Sequence, residues 1–156
     1  MKILEAKKED IPTLLQLINE VQELHINWDS KKYKKIKKYE VIEWLRKLLD
    51  DKNVKILIAS ENSKAIGYVI AKIHNREENA FIYPAQLIEI DQICVAEKYR
   101  NKGVGKRLVD EVKSYAKKLG IDTLFLFVLD KNSDAIRAYT KMGFKTAGRR
   151  MFLNIV

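Results

Sequence analysis

Six consecutive residues, Arg100, Asn101, Lys102, Gly103, Val104 and Gly105, have the types and spacing to hold an anion. They stand between an apolar run over residues 87–95 and an amphipathic stretch over 106–119, so they read as a glycine turn opening a helix. A helix start leaves its first N–H groups unpaired and carries partial positive charge, and such groups converge on a phosphate. Gly103 and Gly105 would let the backbone approach where a Cβ collides. Arg100, Lys102, Lys106 and Arg107 would add full charges around the same turn. Just upstream, Glu89 and Asp91 interrupt the apolar run, which is costly unless their face is wet or paired. Period-two alternation puts both on one face with Ile93 and Val95, about 7 Å apart, and Cys94 on the other. Cys94 has no histidine near it in sequence and reads as a small core residue rather than a nucleophile. His25 and His74 lack ligand spacing to each other or to Cys94, so no metal is expected.

A second cluster follows another apolar run over residues 124–129: Asn132, Ala135, Tyr139, Gly143 and Phe144. Arg-x-x-Gly-x-Gly, then 27 residues later Asn-x-x-Ala-x-x-x-Tyr-x-x-x-Gly-Phe, resembles the GNAT superfamily of acetyl-CoA-dependent N-acetyltransferases. The resemblance runs from about residue 87 to the end of the sequence. It implies that acetyl-CoA enters between the strand before the glycine turn and the next strand, at their carboxyl ends. Backbone N–H groups of Asn101, Lys102, Gly103, Val104, Gly105 and Lys106 would then hold the pyrophosphate, with Arg100 beside them. The strand Ile93-Cys94-Val95 would lie along the pantetheine, the main-chain groups of Ile93 and Val95 pairing with it as an added strand does. Asn132, with Ala135 one turn on, would meet the cofactor near the pantetheine, and Tyr139 would face the sulfur. The implied reaction is direct attack of a primary amine on the thioester in a ternary complex. Asp91 or Glu89 would take the amine proton, directly or through a water, with Asp91 nearer the expected carbonyl. The N–H of Ile93 would meet the oxyanion, and Tyr139 would protonate the leaving thiolate.

The elements that must position these groups form an α/β domain. A first strand spans residues 3–6. Apolar residues at Ile11, Leu14, Leu15, Ile18 and Val21 mark a helix, and Val41, Leu45, Leu48 and Leu49 a second. Residues 54–60 and 65–74 read as strands joined by the turn Glu61-Asn62-Ser63-Lys64. Val104, Leu108, Val112, Tyr115 and Leu119 stripe a long helix stopped by Gly120. Residues 123–129 read as a strand covered on both faces, Ala135, Tyr139 and Met142 as one helix face, and residues 145–155 as a closing strand. The expected sheet is mixed, with six or seven strands and about four flanking helices, the order of the GNAT fold.

At 156 residues, 47% hydrophobic and 33% charged, the chain is expected to form a single domain over residues 1–156. Charges at Glu5, Lys7 and Lys8 argue against a secretory segment, no apolar run spans a membrane, and one cysteine fits a reducing cytoplasm. The net charge of +9 invites a nucleic-acid reading, since residues 31–38 carry six lysines. No nucleic-acid motif accompanies the run, and a solvated loop, packed on one side by Tyr33 and Ile36, is the better reading. Two rivals to an enzyme stand: a non-catalytic CoA-binding regulatory domain and a basic nucleic-acid-binding module. Trp28, Tyr33 and Tyr83 could shape an acceptor pocket, while Trp44 is expected in the core. The acceptor, a small-molecule or a peptide or protein amine, is open, and the resemblance allows a homodimer, common in that family.

Overall fold

The computed structural model describes residues 1–153 and residue 155. It divides into two compact units, Met1–Leu126 and Phe127–Val156. The first holds a five-stranded sheet in the order β1 (Lys2–Glu5), β2 (Val54–Glu61), β3 (Lys64–Arg76), β4 (Ala85–Val95), β5 (Leu124–Phe125). All neighbours pair antiparallel except β4 and β5, which run parallel. Helix α1 (Ile11–Trp28) has Pro12 in its first turn, where a missing N–H costs nothing, and buries Ile11, Leu14, Leu17 and Ile18. With Leu45 of α2 (Lys38–Asp50) these side chains meet Ile56, Ile58, Tyr68, Ile70 and Cys94 on one sheet face, and Trp44 packs at the edge of that cluster as expected. The opposite face receives α3 (Val104–Lys118), whose buried stripe is Val104, Leu108, Val109, Val112 and Ala116. Leu119, expected on that stripe, is exposed because the helix ends at Lys118 and the chain turns at Gly120, φ +72°.

Turn chemistry fixes the β2–β3 hairpin. Asn62 and Ser63 both adopt left-handed backbone (φ 49° and 62°), the geometry that matches strand twist in a two-residue loop. β3 and β4 come closest at Gly67, where a Cβ would lie 2.6 Å from the Cys94 carbonyl oxygen.

The β3–β4 register carries an irregularity that corrects the expected facing of β4. Lys72 pairs with Glu89 and Ala71 with Ile90, but Ile70 pairs with Gln92, so Asp91 is an extra residue, a β-bulge. One extra residue shifts the alternation. Glu89, opposite Lys72, therefore shares a face with Gln92 and Cys94, not with Ile93 and Val95 as simple alternation implied. That face is the one covered by α1 and α2, because Lys72 continues the row of Tyr68 and Ile70.

Strand content also differs from the expected six or seven: among the described residues five strands form. Pairing of β5 ends at Phe125, two residues into the expected strand over 123–129, and Phe125 and Phe127 stay exposed. A strand covered on both faces would have hidden them. The second unit contains α4 (Ser133–Lys141), which ends in a turn where Gly143 takes φ +95°. The expected closing strand is not formed over residues 145–153 or at residue 155, which have no ladder partner, and Asn154 lies outside the described residues.

Candidate functional site

The glycine turn is built from backbone that only some residues adopt. After β4 a 3₁₀ turn, Glu97–Tyr99, leads to Arg100, then to Asn101 at φ 59°, a left-handed position that asparagine tolerates. Gly103, at φ 79°, is the N-cap of α3 and supplies no capping side chain. The first hydrogen bond into the helix is donated by the Arg107 N–H to the Gly103 carbonyl at 3.0 Å. Among the described residues the N–H groups of Val104, Gly105 and Lys106 therefore have no acceptor. They project from the positive end of a 15-residue helix.

The two glycines act differently from expectation. A Cβ at Gly103 would meet no atom within 4 Å, so its glycine answers to φ and not to crowding. At Gly105 a Cβ would sit 3.7 Å from Val95 Cγ2, an ordinary contact. The fold does not require glycine at 105. The four cations expected around the turn are also engaged elsewhere. Arg100 donates from Nε to the Val95 carbonyl at 3.1 Å, and Lys102 lies over the Tyr99 ring. Lys106 pairs with Asp110 at 2.6 Å, and Arg107 donates to the Met1 carbonyl at 3.4 Å. Free backbone N–H groups, more than free side-chain charges, are what this turn presents.

Beside the turn, β4 is paired with β5 only at Ile88 and Glu89. From Ile90 to Val95 its second edge has no strand partner within the first unit, although β3 pairs with the other edge as far as Val95. An extended ligand could pair there with the main chain of Ile93 and Val95. Cys94 is buried in this stretch, its thiol donating to the Leu17 carbonyl at 3.6 Å. Burial pushes the thiol up to about 11, so it stays protonated and is no nucleophile at neutral pH.

The two carboxylates of β4 have different partners. Asp91 Oδ2 lies 2.9 Å from Lys72 Nζ, and Glu89 Oε2 lies 2.7 Å from His74 Nε2. Both acids are about three-quarters buried, as their pairing permits. His74 escaped sequence reasoning because its partner lies 15 residues away across a hairpin. A signal existed: Lys72-x-His74 on one strand and Glu89-x-Asp91 on the next are complementary at period two.

In the second unit, Asn132 caps α4, its carboxamide oxygen accepting from the Ala135 N–H at 3.2 Å. The amide nitrogen and the second lone pair of that oxygen have no partner among the described residues. Tyr139 is half-buried with its ring edge-on to Phe144, centroids 5.8 Å apart, and burial pushes its hydroxyl above the usual tyrosine range. At neutral pH it is a proton donor.

Other expected contributors are placed less centrally. Tyr83 is 84% exposed on the β3–β4 loop. Tyr33 stacks on His25 at 4.9 Å, and His25 lies 5.4 Å from Trp28. The lysine-rich segment is tied down where Gln22 donates to the Lys34 carbonyl at 2.7 Å. A cleft of about 730 Å³ runs between α1 and the 3₁₀ turn, lined by Glu20, Glu23, Lys64 and Arg100 but by neither Glu89 nor Asp91. No helix among the described residues is long and apolar enough to cross a membrane.

A strand, a glycine turn with free N–H groups and a tyrosine helix, in that order, define a class. The chain matches the Acetyltransferase (GNAT) family over residues 17–144 and belongs to that family. It is similar to N-alpha-acetyltransferase 60 of Xenopus tropicalis, 27% identical over 140 residues that cover 81% of this chain and 55% of the relative. It is also similar to an N-acetyltransferase of Methanocaldococcus jannaschii, 30% identical over 146 residues, 88% of this chain and 58% of that one. The chain thus spans a little over half the length of these relatives. Its fold is that of a tetramutant protein from Bacillus halodurans, with a TM-score of 0.94 and 21% identity over 99% of this chain and 100% of that one. An aminoglycoside N-acetyltransferase in complex with CoA shares the fold at TM-score 0.80 and 18% identity, covering 99% and 93%.

Proposed function

We propose that this chain works as one catalytic domain that transfers the acetyl group of acetyl-CoA to a primary amine by direct attack. The observation that carries the reading is the helix start at Val104, Gly105 and Lys106, with free N–H groups and a glycine the fold does not need. Those groups bind the pyrophosphate, and Ile93 and Val95 hold the pantetheine against the open edge of β4. The thioester supplies the electrophilic carbonyl. An amine is mostly protonated at neutral pH, so a base must first remove a proton. Glu89 is the acceptor that the pairing supports. Asp91 is held in an ion pair by the Lys72 side chain, whereas the partner of Glu89 is a ring nitrogen of His74 that contacts Oε2 alone. Glu89 lies four residues from Ile93 on a bulged strand, too far for direct contact with the amine, so the proton reaches it through water. The Ile93 N–H stabilises the oxyanion and Tyr139 returns a proton to the thiolate.

An acetyl-CoA turnover screen across diamines, amino acids, aminoglycosides and peptide N-termini, read by thiol release, tests the activity. Binding of CoA without thiol release from any amine class would leave a CoA-binding domain in place of the enzyme. Retention on an RNA column at physiological salt, with no thermal shift from acetyl-CoA, would replace both with a nucleic-acid module.

A further inference from the structure

His74, Glu89 and Phe125 lie in a row across three neighbouring strands. Phe125 of β5 pairs in register with Glu89 of β4, and His74 of β3 reaches diagonally to the Glu89 carboxylate. The His74 ring is itself packed against the Phe125 ring, centroids 5.6 Å apart and tilted by 59°. A carboxylate only accepts, so the 2.7 Å contact requires a hydrogen on Nε2 of the ring. The donor occupies Oε2 and leaves Oε1 without a protein partner among the described residues.

From this geometry we infer that His74 is a positioning residue for Glu89, aiming Oε1 at the proton to be removed; the inference rests on the reading of Glu89 as the base. Stability alone does not call for a histidine here. The pair is half-exposed on the histidine side, and lysine would satisfy a part-buried carboxylate as well, as Lys72 does for Asp91. The ring differs in one respect: packed against Phe125, it holds the carboxylate with fewer rotatable bonds than a lysine would. In the transfer step an N–H bond of the ammonium breaks and its electron pair stays on nitrogen. The proton passes through the bridging water to Oε1, where an O–H bond forms, and the Nε2–H of His74 stays in place.

The test uses the full chain with acetyl-CoA and an acceptor found by the turnover screen, comparing Glu89→Gln, His74→Phe, His74→Gln and the Glu89→Gln/His74→Phe double variant. His74→Phe should lower kcat about ten- to hundredfold, the range spanned by neighbours coupled in one network, with KM for acetyl-CoA unchanged. His74→Gln, whose amide can donate to Oε2, should recover most of the loss, and the double variant should be no slower than Glu89→Gln alone. If His74→Phe does not fold, His74→Asn, too short to reach Oε2, takes its place. A wild-type kcat for His74→Phe, no recovery by His74→Gln, or an additive double variant, each with Glu89→Gln impaired, would overturn the positioning role and leave the base in place. A wild-type kcat for Glu89→Gln would remove the base, and the positioning role with it.

Discussion

Gly67→Ala is the sharpest test of how β3 and β4 are joined. The added Cβ would sit 2.6 Å from the Cys94 carbonyl oxygen, about 0.8 Å inside the 3.4 Å at which contact becomes ordinary. Its other neighbours, Val95 Cα at 3.4 Å and Leu108 Cδ1 at 3.5 Å, close the alternative directions. The obstructing atom is backbone and cannot rotate away, so the strands must part at the Gly67–Val95 pair. The adjacent bond from the Ala96 N–H to the Ile66 carbonyl, now 2.9 Å, would stretch with them. Overpacking costs about 1–3 kcal/mol and a weakened ladder bond about 0.5–1.5, which together make about 1.5–4.5 kcal/mol. At about 2–4 °C per kcal/mol for a domain of this size, Tm should fall by about 3–18 °C. The CoA-induced rise in Tm should shrink too, because Val95 belongs to the edge proposed to hold the pantetheine. A thermal melt of the variant with and without CoA measures both. A Tm within about 1 °C of wild type, with an unchanged CoA shift, would refute the close-approach argument.

Gly105 offers the opposite case: Gly105→Ala should leave the apo Tm unchanged or slightly higher, since the site has room and alanine favours helix, while weakening CoA binding. Gly105→Glu should abolish the CoA thermal shift altogether by placing a carboxylate among the free N–H groups, and a wild-type shift would remove the pyrophosphate assignment. Tyr139→Phe keeps the ring against Phe144 but removes the acid, so kcat should fall about 10²–10⁴-fold with little change in acetyl-CoA affinity. Cys94 should resist iodoacetamide at pH 8.5 in the native state and react on denaturation. Its folded value, about 11, is raised above the unfolded one of 9.0, so its stabilising contribution is complete below pH 9 and lost as pH rises toward 11. Tm should therefore drop more steeply across that window in wild type than in Cys94→Ala.

The helices were legible because their signal is local. Ile11, Leu14 and Ile18 on α1 and Leu108 and Val112 on α3 repeat at the helical period and are buried as that period requires. The glycine turn was legible for the same reason, since strand, turn and helix follow one another in sequence. The facing of Glu89 was not, because a bulge is a property of the register between two strands and leaves no mark on one strand read alone. The apolar run over 123–129 invited a long covered strand, yet its pairing depends on β4, which accepts it for only two residues. His74 failed the search for metal spacing and was then passed over. Its role depends on a cross-strand diagonal that becomes visible once the hairpin register is known.

Read without Asp91, β4 alternates without fault: Ile88, Ile90, Ile93 and Val95 toward α3, and Glu89, Gln92 and Cys94 toward α1. The bulge is therefore an insertion of one unit into an otherwise regular strand, and its phase is stored in residue count and not in residue type. Deleting Asp91 would leave every remaining side chain on its present face, because it removes the one residue by which the strand exceeds its partner. This strand thus has, at its bulge, a place where its length can change by one residue in evolution or by design without turning the sheet inside out.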